Sequence, residues 1–431
     1  MPISPADRLD RKDRTRIVVV GMGAVTCLGN DWPTTCEGLF SGKGGLKRDA
    51  QRLPPERFLV DIGGFVEGFG PGSPDEDARL AKLESRFLHL GLAAADEAWK
   101  PLAGKAFDPD RVAVAATSAF GGLDLLDNER RKAESRGRLN LGPYTIPGVL
   151  INQLGGQISQ HLGLYGPGFA PSNACASGGH AIVLGAMLIR SGMADLALCG
   201  AAESAFVPSI VNAFATMKAL ATIKPGDRGF DSPDQASRPF SADRCGFVMS
   251  EAAGMMVLAT LERAEALGLE ILGELVGMGV NSDGHHMAAP HGPRIEKCLS
   301  IALADAGLEP DSIDYYNAHG TSTVVNDSTE TQALINVYGD HAARLPVSSV
   351  KGALGHSLGA ASAVEAITTV ECLRTGRIVP TINYEADPKL TLDYVPNRSR
   401  SSDLRIAMSA SFGFGGTNNA LVFRRWNDDR S

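Results

Sequence analysis

Arg16-Ile-Val-Val-Val-Gly21-Met-Gly23 returns late in the chain as Glu274-Leu-Val-Gly277-Met-Gly279, with Val-Gly-Met-Gly common to both stretches. An unbroken apolar run that closes on glycines is the pattern of a strand buried on both faces, as at the centre of an α/β sheet. After each run come a loop, a helical pattern and a second buried strand, at 111–116 in the first case and 313–317 in the second. That shared order predicts a duplicated α/β unit: a disordered tail over 1–15, a first half over 16–260 and a second half over 261–431. Gly-x-Gly after a strand can also open a dinucleotide fold. Here Thr26 replaces the third glycine, and no strand with an acidic end follows about 20 residues later, which speaks against it.

The bulk numbers narrow the function classes. The chain has 431 residues, 44% hydrophobic and 21% charged, as in an ordinary globular protein. Its 41 basic and 49 acidic residues leave a net charge of −8, which argues against a nucleic-acid binder with a basic surface. The seven cysteines form no C-x-x-C and are odd in number, so they read as reduced thiols of a cytoplasmic protein. The longest apolar stretches, such as 252–261, fall short of the roughly 18 residues a membrane span requires.

Outward from the strands, chemistry gathers where they end. Pro171-Ser-Asn-Ala-Cys175-Ala-Ser-Gly-Gly-His180 precedes an apolar helical run, so Ser172 and Asn173 are expected to cap a helix whose first turn holds Cys175. A thiol there is inclined to ionise, and Gly178 and Gly179 are expected to leave its approach open. His180 follows at a spacing that turns it away from Cys175, so it reads as core. His319 and His356 lie just past two strands of the second half. Gly355-His356-Ser357-Leu358-Gly359 also matches G-x-S-x-G, which admits a serine acyltransferase or hydrolase acting through Ser357. No histidine follows Ser357, so the usual Ser, Asp, His order cannot be built. His285, His286 and His291 have no metal-ligand spacing, and no metal is expected.

Four stretches together resemble one family. Ala174-Cys175-Ala-Ser-Gly-Gly, Asn317-Ala-His319-Gly-Thr-Ser-Thr323, Lys351-Gly-Ala-Leu-Gly-His356 and Gly413-Phe-Gly-Gly-Thr-Asn418 are similar to the motifs of elongating beta-ketoacyl-acyl carrier protein synthases, including type II polyketide ketosynthases. The resemblance runs from residue 16 to 424 in the family's order. It implies a thiolase-like α/β fold with five layers, α-β-α-β-α, normally a homodimer, or a heterodimer with a related ketosynthase-like subunit.

It also implies roles. Cys175 would carry the acyl group, and the N–H groups of Cys175 and Phe414 would form an oxyanion hole. His319 and His356 would act on malonyl-acyl carrier protein, while Lys351 pairs with Glu330 to hold them. Thr321 and Thr323 would bind the pantetheine arm, with Phe120, Phe214, Phe412 and Phe414 around the substrate. Lys218 and Arg138 would dock the carrier protein. No cofactor is implied beyond the carrier's own phosphopantetheine. The alternative class is a catalytically idle partner or carrier-binding subunit of a synthase complex. The chain departs from the family at Val324-Val325-Asn326, where Pro and Gly are usual, although Asp327 and Glu330 keep their places, and at Cys245, where aspartate is usual.

Overall fold

The computed structural model describes residues 14–69 and 85–426. Ten strands form one mixed sheet. From the first half come β1 (Ile17–Thr26), β2 (Val112–Thr117), β3 (Gly168–Phe169), β4 (Leu196–Glu203) and β5 (Ala252–Thr260). The second half supplies β6 (Gly273–Ser282), β7 (Tyr315–Asn317), β8 (Val347–Ser348), β9 (Ile406–Gly413) and β10 (Thr417–Arg424). The spatial order is β8-β7-β9-β10-β6-β1-β5-β4-β2-β3, so each five-strand unit reads third, second, fourth, fifth, first. The duplication inferred from Val-Gly-Met-Gly is therefore a duplication of topology. The units join where Val18 and Val19 pair with Glu274 and Gly273.

Side-chain alternation along the strands sorts the core into three apolar layers. Val18, Val20, Val112 and Val114 point outward, against helices α1 (Arg86–Trp99) and α2 (Gln153–Leu162). Ile17, Val19, Ala113 and Ala115 point to a central layer shared with Ala407, Leu421 and Phe423 of the second unit. That layer holds α3 (Ser177–Arg190), α6 (Ala361–Thr375) and their apolar side chains. Met408, Ala410, Ala420 and Val422 face the other way, toward α4 (Gly292–Ala306) and α5 (Val324–Tyr338). The result is the α-β-α-β-α arrangement.

The repeated glycines serve packing. A Cβ on Gly21 or Gly23 would lie 2.0 Å from the Ala98 carbonyl or 2.3 Å from that of Ala94, both on α1. On the equivalent strand, Gly277 and Gly279 would meet the Ala302 and Cys298 carbonyls of α4 at 2.6 and 2.2 Å. Each Gly-x-Gly lets a helix lie directly on its strand, which explains the motif without a nucleotide.

Of the expected tail, residues 1–13 lie outside the described residues; Arg14 forms an ion pair with Asp305 at 2.6 Å. No helix among the described residues is long and apolar enough to cross a membrane.

Candidate active site

Cys175 sits in a 3-10 turn, Ala174–Ala176, placed just before α3. This corrects the expected capped first turn: Asn173 makes no side-chain cap, and Ala174 takes a left-handed φ of 50° to present the cysteine. Gly178 and Gly179 do not keep the approach open either. A Cβ on Gly178 would touch Ala363 at 2.7 Å, and one on Gly179 would meet the Asn419 side chain at 2.3 Å, so both glycines let α3 pack closely. His180 turns back on the Ala176 carbonyl at 2.9 Å, away from the thiol.

The β9–β10 hairpin brings the glycine turn to the cysteine. Gly415 and Gly416 both adopt positive φ, and Thr417 donates its hydroxyl to the Asn173 carbonyl at 3.2 Å. Cys175 and Phe414 thereby line the same cavity, and the Phe414 N–H favours the thiolate of Cys175. Burial nevertheless pushes the thiol up to about 12, outweighing the downward pull of Lys351 and of the Phe414 N–H. The resting thiol is neutral, contrary to the ionised group expected from its place before a helix.

His356 is pinned by its backbone, donating to Val248 at 2.7 Å and accepting from Ser250 at 3.0 Å. The Leu358 N–H donates to His356 Nδ1 at 3.2 Å, and Leu358 takes a φ of 46° in that turn. Because Nδ1 accepts, Nε2 holds the proton and His356 is a neutral donor. His319 lies 5.6 Å away between ring centres, nearly perpendicular, with Phe412 on another edge. Burial first, then the Lys351 charge, keeps both rings well below the usual histidine range.

Lys351 departs from the expected pairing. Its ammonium, 1% exposed, forms an ion pair with Glu365 on α6 and donates to the His319 carbonyl at 2.6 Å. Glu330 accepts instead from the backbone N–H groups of His319 at 2.9 Å and Gly320 at 2.8 Å. One acid therefore anchors the histidine's backbone, while the other neutralises the lysine. Glu365 was missed in the sequence although it left a signal, since it stands in the wholly buried, mostly small and apolar run 361–373.

A cavity of ≈ 380 Å³ opens over Cys175, lined also by His319, His356, Thr321, Thr323, Phe214, Phe412 and Phe414. Thr321 and Thr323 share a hydroxyl hydrogen bond of 2.9 Å, and Thr323 caps α5. The unusual Val324-Val325-Asn326-Asp327 stretch is thus the first turn of α5, with Val324 and Val325 exposed at the rim. Lys218 lines the mouth, as does Cys245, which accepts a hydrogen bond from Arg238. Phe120 does not line this cavity. It stands behind Phe214, edge-on at 6.2 Å. Arg138 is exposed on the loop after the helix Leu123–Ser135 and also lies off the lining. Ser357 is buried and absent from the lining, which removes the structural basis for a serine nucleophile.

Cysteine, donor N–H groups and two neutral imidazoles converging on one cavity are suited to acyl transfer with stabilisation of an enolate. Comparison with known proteins agrees. The family described as beta-ketoacyl synthase, N-terminal domain, matches residues 14–264, and its C-terminal domain matches 272–385. The chain is 36% identical over 419 residues to a protein of Synechocystis sp. named 3-oxoacyl-[acyl-carrier-protein] synthase 2, covering 96% of this chain and 99% of that one. A Coxiella burnetii protein of the same name is also 36% identical over 419 residues, with the same coverage. Among solved structures, the ishigamide ketosynthase/chain length factor aligns with a TM-score of 0.86 at 32% identity, over 96% of this chain and 100% of that chain. A beta-ketoacyl synthase from Burkholderia phymatum gives the same TM-score, identity and coverage. The thiolase-like fold, the convergent site and these full-length likenesses together place this chain in the beta-ketoacyl synthase family.

Proposed function

We infer that the protein elongates a fatty acid or polyketide chain by decarboxylative Claisen condensation, using malonyl-acyl carrier protein. The observation that carries this is the meeting of Cys175, the Phe414 turn and two neutral histidines in the lining of one cavity. Cys175 attacks the carbonyl of an acyl thioester, and the departing pantetheine takes up a proton as the thiol's proton is released. The N–H groups of Cys175 and Phe414 stabilise the tetrahedral oxygen. In the second half-reaction the bond to the malonyl carboxylate breaks, CO₂ leaves and its electron pair becomes the thioester enolate. His356, donating from Nε2, and His319 stabilise that oxygen. The enolate carbon then attacks the acyl group, and Cys175 leaves. Losing one such donor costs on the order of 10²–10³ in rate.

Acyl carrier protein is the partner, and its pantetheine arm binds to Thr321 and Thr323, a reading supported by both residues lining the cavity. A second ketosynthase-like chain, either a copy of this one or a related subunit, suits the exposed sheet-edge strand β3 and the exposed Leu139, Leu141 and Ile146. Light scattering of the purified protein tests self-assembly: a dimer supports a second copy of this chain, and a monomer would reject the copy and leave the related subunit. A cytoplasmic location fits the reading.

The decisive experiment is mass spectrometry after incubation with acyl-carrier protein. A stable acyl adduct on Cys175, lost in Cys175→Ala along with condensation, is expected. Full condensation by Cys175→Ala would overturn the scheme, and absence of any adduct would favour the idle-subunit alternative.

A further inference from the structure

Glu203 is a buried carboxylate that the condensation steps leave unused. It ends β4 and is 0% exposed. Its Oε1 accepts from the Ser118 hydroxyl at 2.8 Å and the Phe120 N–H at 3.3 Å. Its Oε2 accepts from the Ala119 N–H at 2.8 Å and the Gly359 N–H at 3.2 Å. All four partners are neutral, so dipoles alone hold the charge, and burial pushes the carboxyl up to about 7. A group so costly to bury, closing one loop onto another, calls for a positional reason.

The loops it joins have different duties. Residues 118–120 carry Phe120, whose ring backs Phe214 in the cavity wall. The 3-10 turn Leu358–Ala360 follows His356 after one residue, Ser357. Two successive N–H groups of that turn point to different targets: Leu358 to His356 Nδ1 and Gly359 to Glu203. Contact across the clasp is tight as well. A Cβ on Gly359 would lie 2.6 Å from the Ala119 nitrogen and 2.7 Å from Glu203 Oε2. A shift of the 118–120 loop therefore passes into the turn that sets the tautomer and direction of His356.

We propose that Glu203 is a positioning residue, a clasp tying the wall behind the acyl pocket to the His356 turn, so that the seating of the acyl chain against Phe214, which Phe120 backs, governs how well His356 acts on the malonyl thioester. This rests on the condensing reading of the site.

The test separates the two half-reactions. Glu203→Gln keeps the volume but replaces one acceptor oxygen with an NH₂ that cannot accept from an N–H, so half the clasp opens. Acylation of Cys175 by acyl-carrier protein, read by mass, should stay within about threefold of wild type, because His356 is not its donor. In decarboxylation of malonyl-carrier protein by the acylated enzyme, kcat should fall at least about tenfold, with KM within about twofold. The dependence of that kcat on acyl chain length should flatten. An equal loss in both half-reactions would mark Glu203 as merely structural and overturn the proposal, as would an unchanged kcat. Ser118→Ala removes one donor and spares the carboxylate, so it decides the matter if Glu203→Gln does not fold. The same split at about threefold is expected, and its absence refutes the clasp. Failure of wild type to acylate would instead sink the condensing reading, on a separate arm of the experiment.

Discussion

Replacing Lys351 by methionine should destabilise the fold through Glu365, not through Glu330. Lys351 and Glu365 are each 1% exposed, and once the ammonium is gone Glu365 keeps the Ser411 hydroxyl at 3.1 Å. Breaking a buried pair by removing one partner costs about 3–5 kcal/mol, since the remaining charge is stranded. Glu365→Gln strands the ammonium on the His319 carbonyl and should cost a similar amount. Lys351→Met with Glu365→Gln removes both charges and should cost only about 1–2 kcal/mol, the worth of one or two hydrogen bonds. The two substitutions are thus expected to couple by several kcal/mol. Lys351→Met with Glu330→Gln should couple by less than about 1 kcal/mol, because Glu330 holds backbone N–H groups. Unfolding in urea can be followed by the fluorescence of Trp32 and Trp99, both buried. With a slope near 3 kcal/mol/M, each single variant should lower the midpoint by about 1–1.7 M. Stronger coupling of Lys351 to Glu330 than to Glu365 would refute this assignment.

Further expectations concern pH, the pocket and the mouth. Burial raises Glu330 to about 7, above the roughly 4.3 of an unfolded glutamate, so between those values the folded state binds the extra proton and stability falls as pH rises. Glu330→Gln removes that slope, so its urea midpoint relative to wild type should improve from pH 5.5 to pH 8, and a constant difference would contradict the argument. Phe214→Ala should admit acyl chains longer by several carbons, each buried methylene being worth about 0.8 kcal/mol, whereas Phe120→Ala should do so less, since its ring stands behind. Acylation with saturated chains of increasing length checks this, and a larger effect at Phe120 would reverse the order of the wall. Charge reversal at Lys218 should raise KM for acyl-carrier protein and spare a free pantetheine thioester, whereas reversal at Arg138 should do less because it lies off the mouth. Equal effects on both substrates would remove Lys218 from docking. Arg130, Arg131 and Lys132 are already matched by Asp127, Glu129 and Glu134 of their own helix and should contribute little.

Much of this molecule is legible along the chain because the signal is local. The apolar runs ending in Gly-x-Gly, their recurrence, the glycine turn between β9 and β10 and the positions of Cys175, His319 and His356 after strands or before a helix depend on near neighbours in sequence. Periodicity and turn chemistry report such features directly. By themselves they predict a duplicated α/β fold, whereas the meeting of Cys175, His319 and His356 in one site was implied by the resemblance of their motifs to the family.

The tertiary structure alone decided which groups touch and what their surroundings do to them. Lys351 lies nearer in sequence to Glu365 than to Glu330, but spacing could not reveal that α6 turns Glu365 toward it. Glu203 shows in sequence only as an acid after Leu196-Ala-Leu-Cys-Gly-Ala-Ala, and its clasp on two distant loops exists only after folding. Gly178 and Gly179 read as open space around a nucleophile until α6 and Asn419 fill it. The protonation of Cys175 reversed for the same reason. Sequence shows the dipoles near a thiol, whereas the water it loses depends on packing by every element around it, and at this site the lost water prevails.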